Sequence, residues 1–160
     1  MKKSLRYLIL FLLFVGSELF VKAFLPFAGL FIDFFLLFLI FVGFQIPSAR
    51  FLWFWGAVIG FLKDAEGGGL FGGWTCAFAV LGWIVEKSRR FFEQEDPLIQ
   101  GVWTALLTII VGFVYGIIVA LSDPMAGWSR LFWWTVPLSA GLNGLFAVLF
   151  FPRSKKWLIA

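Results

Sequence analysis

The sequence predicts an all-α, polytopic membrane protein, a six-transmembrane-helix bundle forming one integral membrane domain over residues 1–160. Three observations predict it. First, 62% of the residues are hydrophobic and 14% charged, with a mean hydropathy of +0.98, whereas an ordinary globular domain carries about 25% charged residues. A soluble core of this size could not bury so many Phe, Leu and Trp side chains. Second, the apolar residues fall into six runs separated by proline, glycine or charged breaks, on the scale of the roughly 20 residues that cross a hydrocarbon layer about 30 Å thick. Third, the basic residues alternate in density from one connecting segment to the next, as multi-pass proteins require.

The first helix is expected over residues 5–24, stopped by Leu25-Pro26. Its Met1-Lys2-Lys3 start and Val21-Lys22-Ala23 also suit a secretory signal, but the apolar run exceeds the 7–15-residue core of such signals, so an uncleaved helix is expected. Glu18 and Lys22 stand four residues apart with the acid first, the order that favours an intrahelical ion pair. Residues 29–44 form the second helix. Phe31, Phe34, Phe35, Leu37, Phe38, Ile40 and Phe41 surround it on most sides, so it is expected to face lipid, with Asp33 at the positive end of its dipole. The third helix covers residues 49–62 and closes on Lys63-Asp64-Ala65-Glu66-Gly67-Gly68-Gly69. The fourth covers 70–85 and is stopped by the charged stretch 86–96. The fifth covers 98–121 and ends at Ser122-Asp123-Pro124. The sixth covers 129–151, carries Pro137 where a kink is expected, and ends at Pro152.

Helices in lipid associate where small residues let backbones approach and weakly polar side chains bond across. Such residues recur every fourth position on the fifth helix, at Gln100, Thr104, Thr108, Gly112, Gly116 and Ala120, and on the sixth at Thr135, Ser139, Asn143 and Ala147. Gly56 and Gly60 on the third and Gly69, Gly73 and Ala77 on the fourth continue the pattern. The third to sixth helices are therefore expected to form the packed centre, with Cys76 as a small buried residue.

With the amino end inside, the cytoplasmic side collects Lys2, Lys3, Arg6, Arg50, Lys87, Arg89, Arg90, Arg153, Lys155 and Lys156, and the outer side holds only Lys22, Lys63 and Arg130. Both termini are expected in the cytoplasm. Indoles favour the membrane–water interface. Trp53, Trp55, Trp83, Trp103 and Trp157 fall near the inner helix ends, and Trp74, Trp128, Trp133 and Trp134 near the outer ones.

Several functions are excluded. There is no His, which removes Ser-His-Asp chemistry and HExxH zinc sites, and the single Cys76 permits neither an internal disulfide nor a thiolate cluster. No carboxylates are paired at catalytic spacing and no nucleophile neighbours a base. Catalytic, cofactor and metal sites are expected to be absent. The net charge of +4 sits in short loops rather than on one face, so it reads as topology and not as a nucleic-acid footprint.

The most informative acid is Asp64, which ends the third helix ahead of the triple glycine. Glycine lets the chain turn sharply, and the carboxylate is then placed to accept from amides at the start of the fourth helix. The segment lacks the GKS/T ending of a phosphate-binding loop.

This layout resembles the rod shape-determining MreD family. The resemblance is carried by Gly60, Asp64, Gly68, Gly69 and Gly72, spaced as Gly-x-x-x-Asp-x-x-x-Gly-Gly-x-x-Gly, and by Lys87-Ser88-Arg89-Arg90 after the fourth helix. Its specific part is about residues 56–97, and Ala65-Glu66-Gly67 is more polar than the family commonly has there. The resemblance implies a fold similar to the substrate-binding components of energy-coupling-factor transporters. It also implies a non-enzymatic scaffold in the bacterial inner membrane that works with MreC and the MreB filament and through them with RodA and a penicillin-binding transpeptidase. On that reading the Asp64–Gly72 turn and the adjoining ends of the third to sixth helices make a groove for a transmembrane or juxtamembrane segment of MreC. Arg89, Arg90, Lys155 and Lys156 meet anionic lipid or acidic cytoplasmic patches. The rival is a vitamin-type binding component with an outer pocket near Trp74 and Trp128. Such components commonly meet their energising module through an Ala-x-x-x-Ala surface on the first helix, which here has one alanine, Ala23.

Overall fold

Among the described residues the secondary structure consists of six helices and no strand: α1 (Lys3–Phe24), α2 (Phe34–Gln45), α3 (Leu52–Ala65), α4 (Gly73–Ser88), α5 (Pro97–Ser122) and α6 (Arg130–Ile159). The computed structural model describes residues 3–24, 32–45, 51–66, 70–88, 96–123 and 130–159, with backbone alone at 3–7, 45, 130, 131 and 153–159. Two helical stretches, Pro97–Ser122 and Phe132–Pro152, are long and apolar enough to cross a membrane.

Glycine sets the closest helix contact. A Cβ added to Gly56 would overlap the Phe78 carbonyl, one on Gly60 the Trp74 carbonyl, and one on Gly82 the Leu52 carbonyl. As the α3 position rises, the α4 position falls, so the two helices run antiparallel with their backbones in contact. α5 and α6 pair the same way: Gly101 meets Gly144, Gly112 meets Val136 and Gly116 meets Phe132. Small residues spaced by four thus serve two antiparallel pairs, α3–α4 and α5–α6.

α2 departs from expectation. It is the core of the molecule: Leu37, Ile40 and Phe41 are fully buried, as are Phe35, Leu36 and Leu39 within 2%. Phe14 and Phe11 of α1 pack edge-on against Phe34 and Phe38. Phe146 and Phe151 of α6 meet Phe34 and Phe41. Gly43 is closed in by Val85 and Leu52, and Leu39 reaches Gly56. The physical reason is that a helix apolar all round is as content among helices as in lipid, so composition does not separate the two. Its length does bear on it: α2 has 12 residues, about 18 Å at 1.5 Å per residue, short for a lipid-facing span.

Two smaller corrections follow. α6 continues through Pro152 to Ile159: a proline removes one helical hydrogen bond, and in a membrane helix neighbouring groups make that tolerable. Cys76 is exposed rather than buried. It follows the α4 seam in sequence, but one residue is a 100° turn of the helix, and the adjacent Ala77 takes the buried position.

The outward faces are greasy. Leu12, Leu13, Leu19 and Phe20 on α1, Trp53, Phe54, Trp55 and Phe61 on α3, and Trp134, Leu138 and Leu145 on α6 are all at least half exposed, Trp53 nearly so. Continuous apolar exposure of this kind suits contact with lipid.

Candidate functional site

The first amides of a helix have no partner within it, and away from water each unpaired amide is costly. Here carboxylates meet that need at four helix starts. Asp64, at the end of α3, accepts from the Gly72, Trp74 and Thr75 amides at 3.0, 3.1 and 3.0 Å and from the Thr75 hydroxyl at 2.7 Å. Glu86, near the end of α4, accepts from the Leu52 amide at 3.0 Å, at the point where Phe51 takes a left-handed φ of 59°. Each helix of this antiparallel pair is thus capped by a carboxylate from the other's last turns. Asp33 accepts from the Leu36 amide at 3.0 Å, and Glu18 of α1 from the Phe34 amide at 2.8 Å. Asp96 caps α5 by accepting from the Leu98 amide at 2.8 Å, with Pro97 in the first helical turn.

The turn into α4 depends on one backbone conformation. Gly72 has a φ of +90°, with open space where a Cβ would lie. Gly72→Ala therefore introduces strain without a clash, and we expect it to lower stability by about 1–2 kcal/mol, read as a shift of the thermal unfolding midpoint in detergent. An unchanged midpoint would show that the turn has an alternative path.

Ion pairs join the Glu18 and Asp33 caps into one cluster beside the Asp64 cap. Glu18, 2% exposed, pairs with Lys22 at 2.8 Å, and Lys22 reaches Glu66 at 2.5 Å. Asp33 pairs with Lys63, whose ammonium lies 4.0 Å from the centroid of the Trp74 ring. Trp74 stacks on Tyr115 of α5 with centroids 3.9 Å apart. Asn143 of α6 accepts from the Asp33 amide at 3.1 Å. All six helices thus contribute polar groups to one end of the bundle, α2 through Asp33 at its start.

Beside this cluster, where α2, α4, α5 and α6 meet, lies a cavity of about 290 Å³. Its polar lining comes from Asp33, Thr108, Tyr115, Thr135 and Ser139, and its wall from Trp74 and aliphatic side chains such as Val111 and Val136. Among the described residues no three His, Cys, Asp or Glu side chains converge as a metal site would need. The arrangement can bind and position; it presents no activated nucleophile.

Of the residues singled out in the sequence, Gly60, Asp64 and Gly72 come together at the α3–α4 turn, and Glu18 and Lys22 join the same end through Glu66. Gly68, Gly69, Arg89 and Arg90 lie outside the described residues, and Lys155 and Lys156 are described by backbone alone, on the last turns of α6 at the opposite end. Sequence reasoning missed the Asp33–Lys63 pair, the Glu86 cap and the role of Asn143. Asp33 was legible as a charge at the start of the second helix and Lys63 as one in the segment that closes the third, but no local spacing joins them.

The sequence model of a family described as rod shape-determining protein MreD matches residues 1–157. No curated protein and no solved structure gives a significant match.

Proposed function

The chain belongs to the MreD family of rod shape-determining proteins, and from that premise we propose that it is a non-enzymatic docking scaffold of the bacterial elongation machinery. It takes part in rod-shape determination, as its family does. In the reading proposed here, the Asp64 end receives a transmembrane or juxtamembrane segment of MreC, and the basic opposite end couples the MreB filament to lateral peptidoglycan synthesis by RodA and its penicillin-binding transpeptidase. The observation that carries the reading is the cavity between α2, α4, α5 and α6: it lies beside the Asp64–Gly72 turn and is lined, apart from Asp33 just before α2, by residues of helices. Binding sites held by packed helices keep their geometry without an ordering cost.

The bundle sits in the inner membrane as six spans with both termini in the cytoplasm. The alternating helix directions and the lipid-suited outer faces support this placement, and so does the sorting of indoles: Trp53 adjoins Gly82 at one end, and Trp74 stacks near Tyr115 at the other. Arg89, Arg90, Lys155 and Lys156 then lie at the inner face. Each adds about 1 kcal/mol of attraction to anionic lipid, enough to orient contacts but not to anchor a filament.

Ser139→Phe fills the cavity from α6 and leaves the carboxylate caps in place, at the loss of the long bond that Ser139 accepts from Asn143. We expect it to reduce co-purification with MreC at least tenfold while the protein inserts at the unmodified level. Leu145→Ala, on the exposed face of the same helix, leaves capture unchanged. Full capture by the Ser139→Phe protein would remove the cavity from the interface.

A further inference from the structure

The cavity's chemistry specifies what enters it. The geometry points to a cationic side chain on an aliphatic stem, the ammonium of a lysine or the guanidinium of an arginine in the docked segment, with Asp33 as its counter-charge. This inference rests on the docking reading above and adds the identity of the anchor.

Three features carry it. The first is the hydrogen-bond polarity of the lining. Thr108 donates its hydroxyl proton to the Thr104 carbonyl at 2.8 Å and Thr135 to the Phe132 carbonyl at 3.3 Å, so these two oxygens face the cavity as acceptors, Thr108 already taking one long bond from Asn143 at 3.5 Å. Ser139 already accepts from Asn143 at 3.4 Å. A lining of acceptors complements a group that only donates, and Lys and Arg are the side chains that donate and never accept. The second is charge. Asp33 is the one ionisable carboxylate or cation among the lining residues. The cluster around it sets the four carboxylates of Glu18, Asp33, Asp64 and Glu66 against the two ammonium groups of Lys22 and Lys63. An excess of negative charge beside a low-dielectric wall favours a cation and penalises an anion. The third is the wall itself: Val111, Val136 and the aromatic faces of Trp74 and Tyr115 give an aliphatic stem apolar contact on the way to the carboxylate. Lys63 already pairs with Asp33 from the Trp74 side, so an incoming cation shares the carboxylate with it, and the surplus of acidic groups in the cluster offsets the second positive charge.

The test measures charge selectivity by thiol labelling of the full chain in lipid nanodiscs. Cys76→Ser removes the exposed native thiol, and Ser139→Cys places one in the cavity lining. Its modification rates are compared for a methanethiosulfonate bearing a trimethylammonium and for one bearing a sulfonate. Ser122→Cys, exposed beyond the cavity at the same end, is the reference. The expected result is a cation-to-anion rate ratio at position 139 at least tenfold above that at position 122, falling as salt is raised. In Asp33→Asn combined with Lys63→Met, which leaves the cluster's net charge unchanged, the ratio falls at least threefold toward the reference value, the remainder coming from the other carboxylates. Equal ratios at the two positions overturn the inference, as does failure of both reagents to reach position 139. An undiminished ratio in the paired variant removes Asp33 from the role. Should the paired variant not fold, the salt dependence in the otherwise native chain decides, and a salt-independent ratio overturns the inference. Loss of MreC capture in Ser139→Phe together with absent charge selectivity leaves docking standing and removes only the cationic anchor.

Discussion

Asp64→Ala is expected to lower stability by roughly 3–5 kcal/mol, the largest effect of any single side-chain truncation at this end of the bundle. The carboxylate accepts four hydrogen bonds, three of them from backbone amides at the start of α4. A bond to a charged group contributes about 1.5–3 kcal/mol, and a donor left unpaired away from water costs about 1–3 kcal/mol. Loss of an ordinary helix cap, by comparison, costs about 1 kcal/mol. The sum is not additive, because the freed turn can move and admit water. The measurement is the midpoint of thermal unfolding in detergent, followed by the loss of a monodisperse species. Asp64→Asn is expected to lie between the two, since its one carbonyl oxygen serves some of the amides while its NH2 group opposes the others. A midpoint for Asp64→Ala within a degree of the unmodified protein would mean that the α4 start is satisfied by other groups.

Branched side chains at Gly56, Gly60 or Gly82 are expected to separate α3 from α4. At Gly60 a Cβ would lie 2.7 Å from the Thr75 Cα and overlap the Trp74 carbonyl; at Gly82 it would lie 2.9 Å from the Trp53 Cα. These neighbours are backbone, so relief requires moving a whole helix. Overpacking that displaces flexible side chains costs about 1–3 kcal/mol, and Gly60→Val should exceed that range. Separation would also pull Asp64 from the amides it caps, and Glu86 from Leu52, so both reciprocal caps fail together. Gly141 and Gly16 have open space where a Cβ would go, and alanine at either is expected to be tolerated. The check is steady-state membrane level and unfolding midpoint across the set. Equal tolerance at Gly60 and Gly141 would contradict the close α3–α4 contact.

The parts legible in the sequence are those built from short-range relations. Glu18 and Lys22 are one helical turn apart, and Asp64 lies eight to eleven residues before the amides it caps. Glycines spaced by four mark helix contact because small residues are what lets backbones approach. Other features join residues far apart in the chain, and nothing local announces them. Asp33 meets Lys63 across 30 residues, Glu86 caps Leu52 across 34, and Asn143 accepts from Asp33 across 110. The cavity belongs to this second group, since its lining comes from α2, α4, α5 and α6 together.

Composition and periodicity by themselves determined that the chain is helical and suited to a bilayer, how many helical stretches it has and which faces carry small residues, but not where each helix ends. These properties depend on each residue's own preference for lipid, water or turn. Only the tertiary structure decided that α2 is the centre rather than an outer edge, and that Glu18, Lys22, Asp33 and Lys63 converge on one end beside a cavity. In a bilayer an apolar surface gains nearly as much from lipid as from another helix, so hydropathy cannot choose its neighbour. The choice passes to backbone contact at glycines and to the carboxylates that must satisfy helix starts, and both are relations between distant parts of the chain.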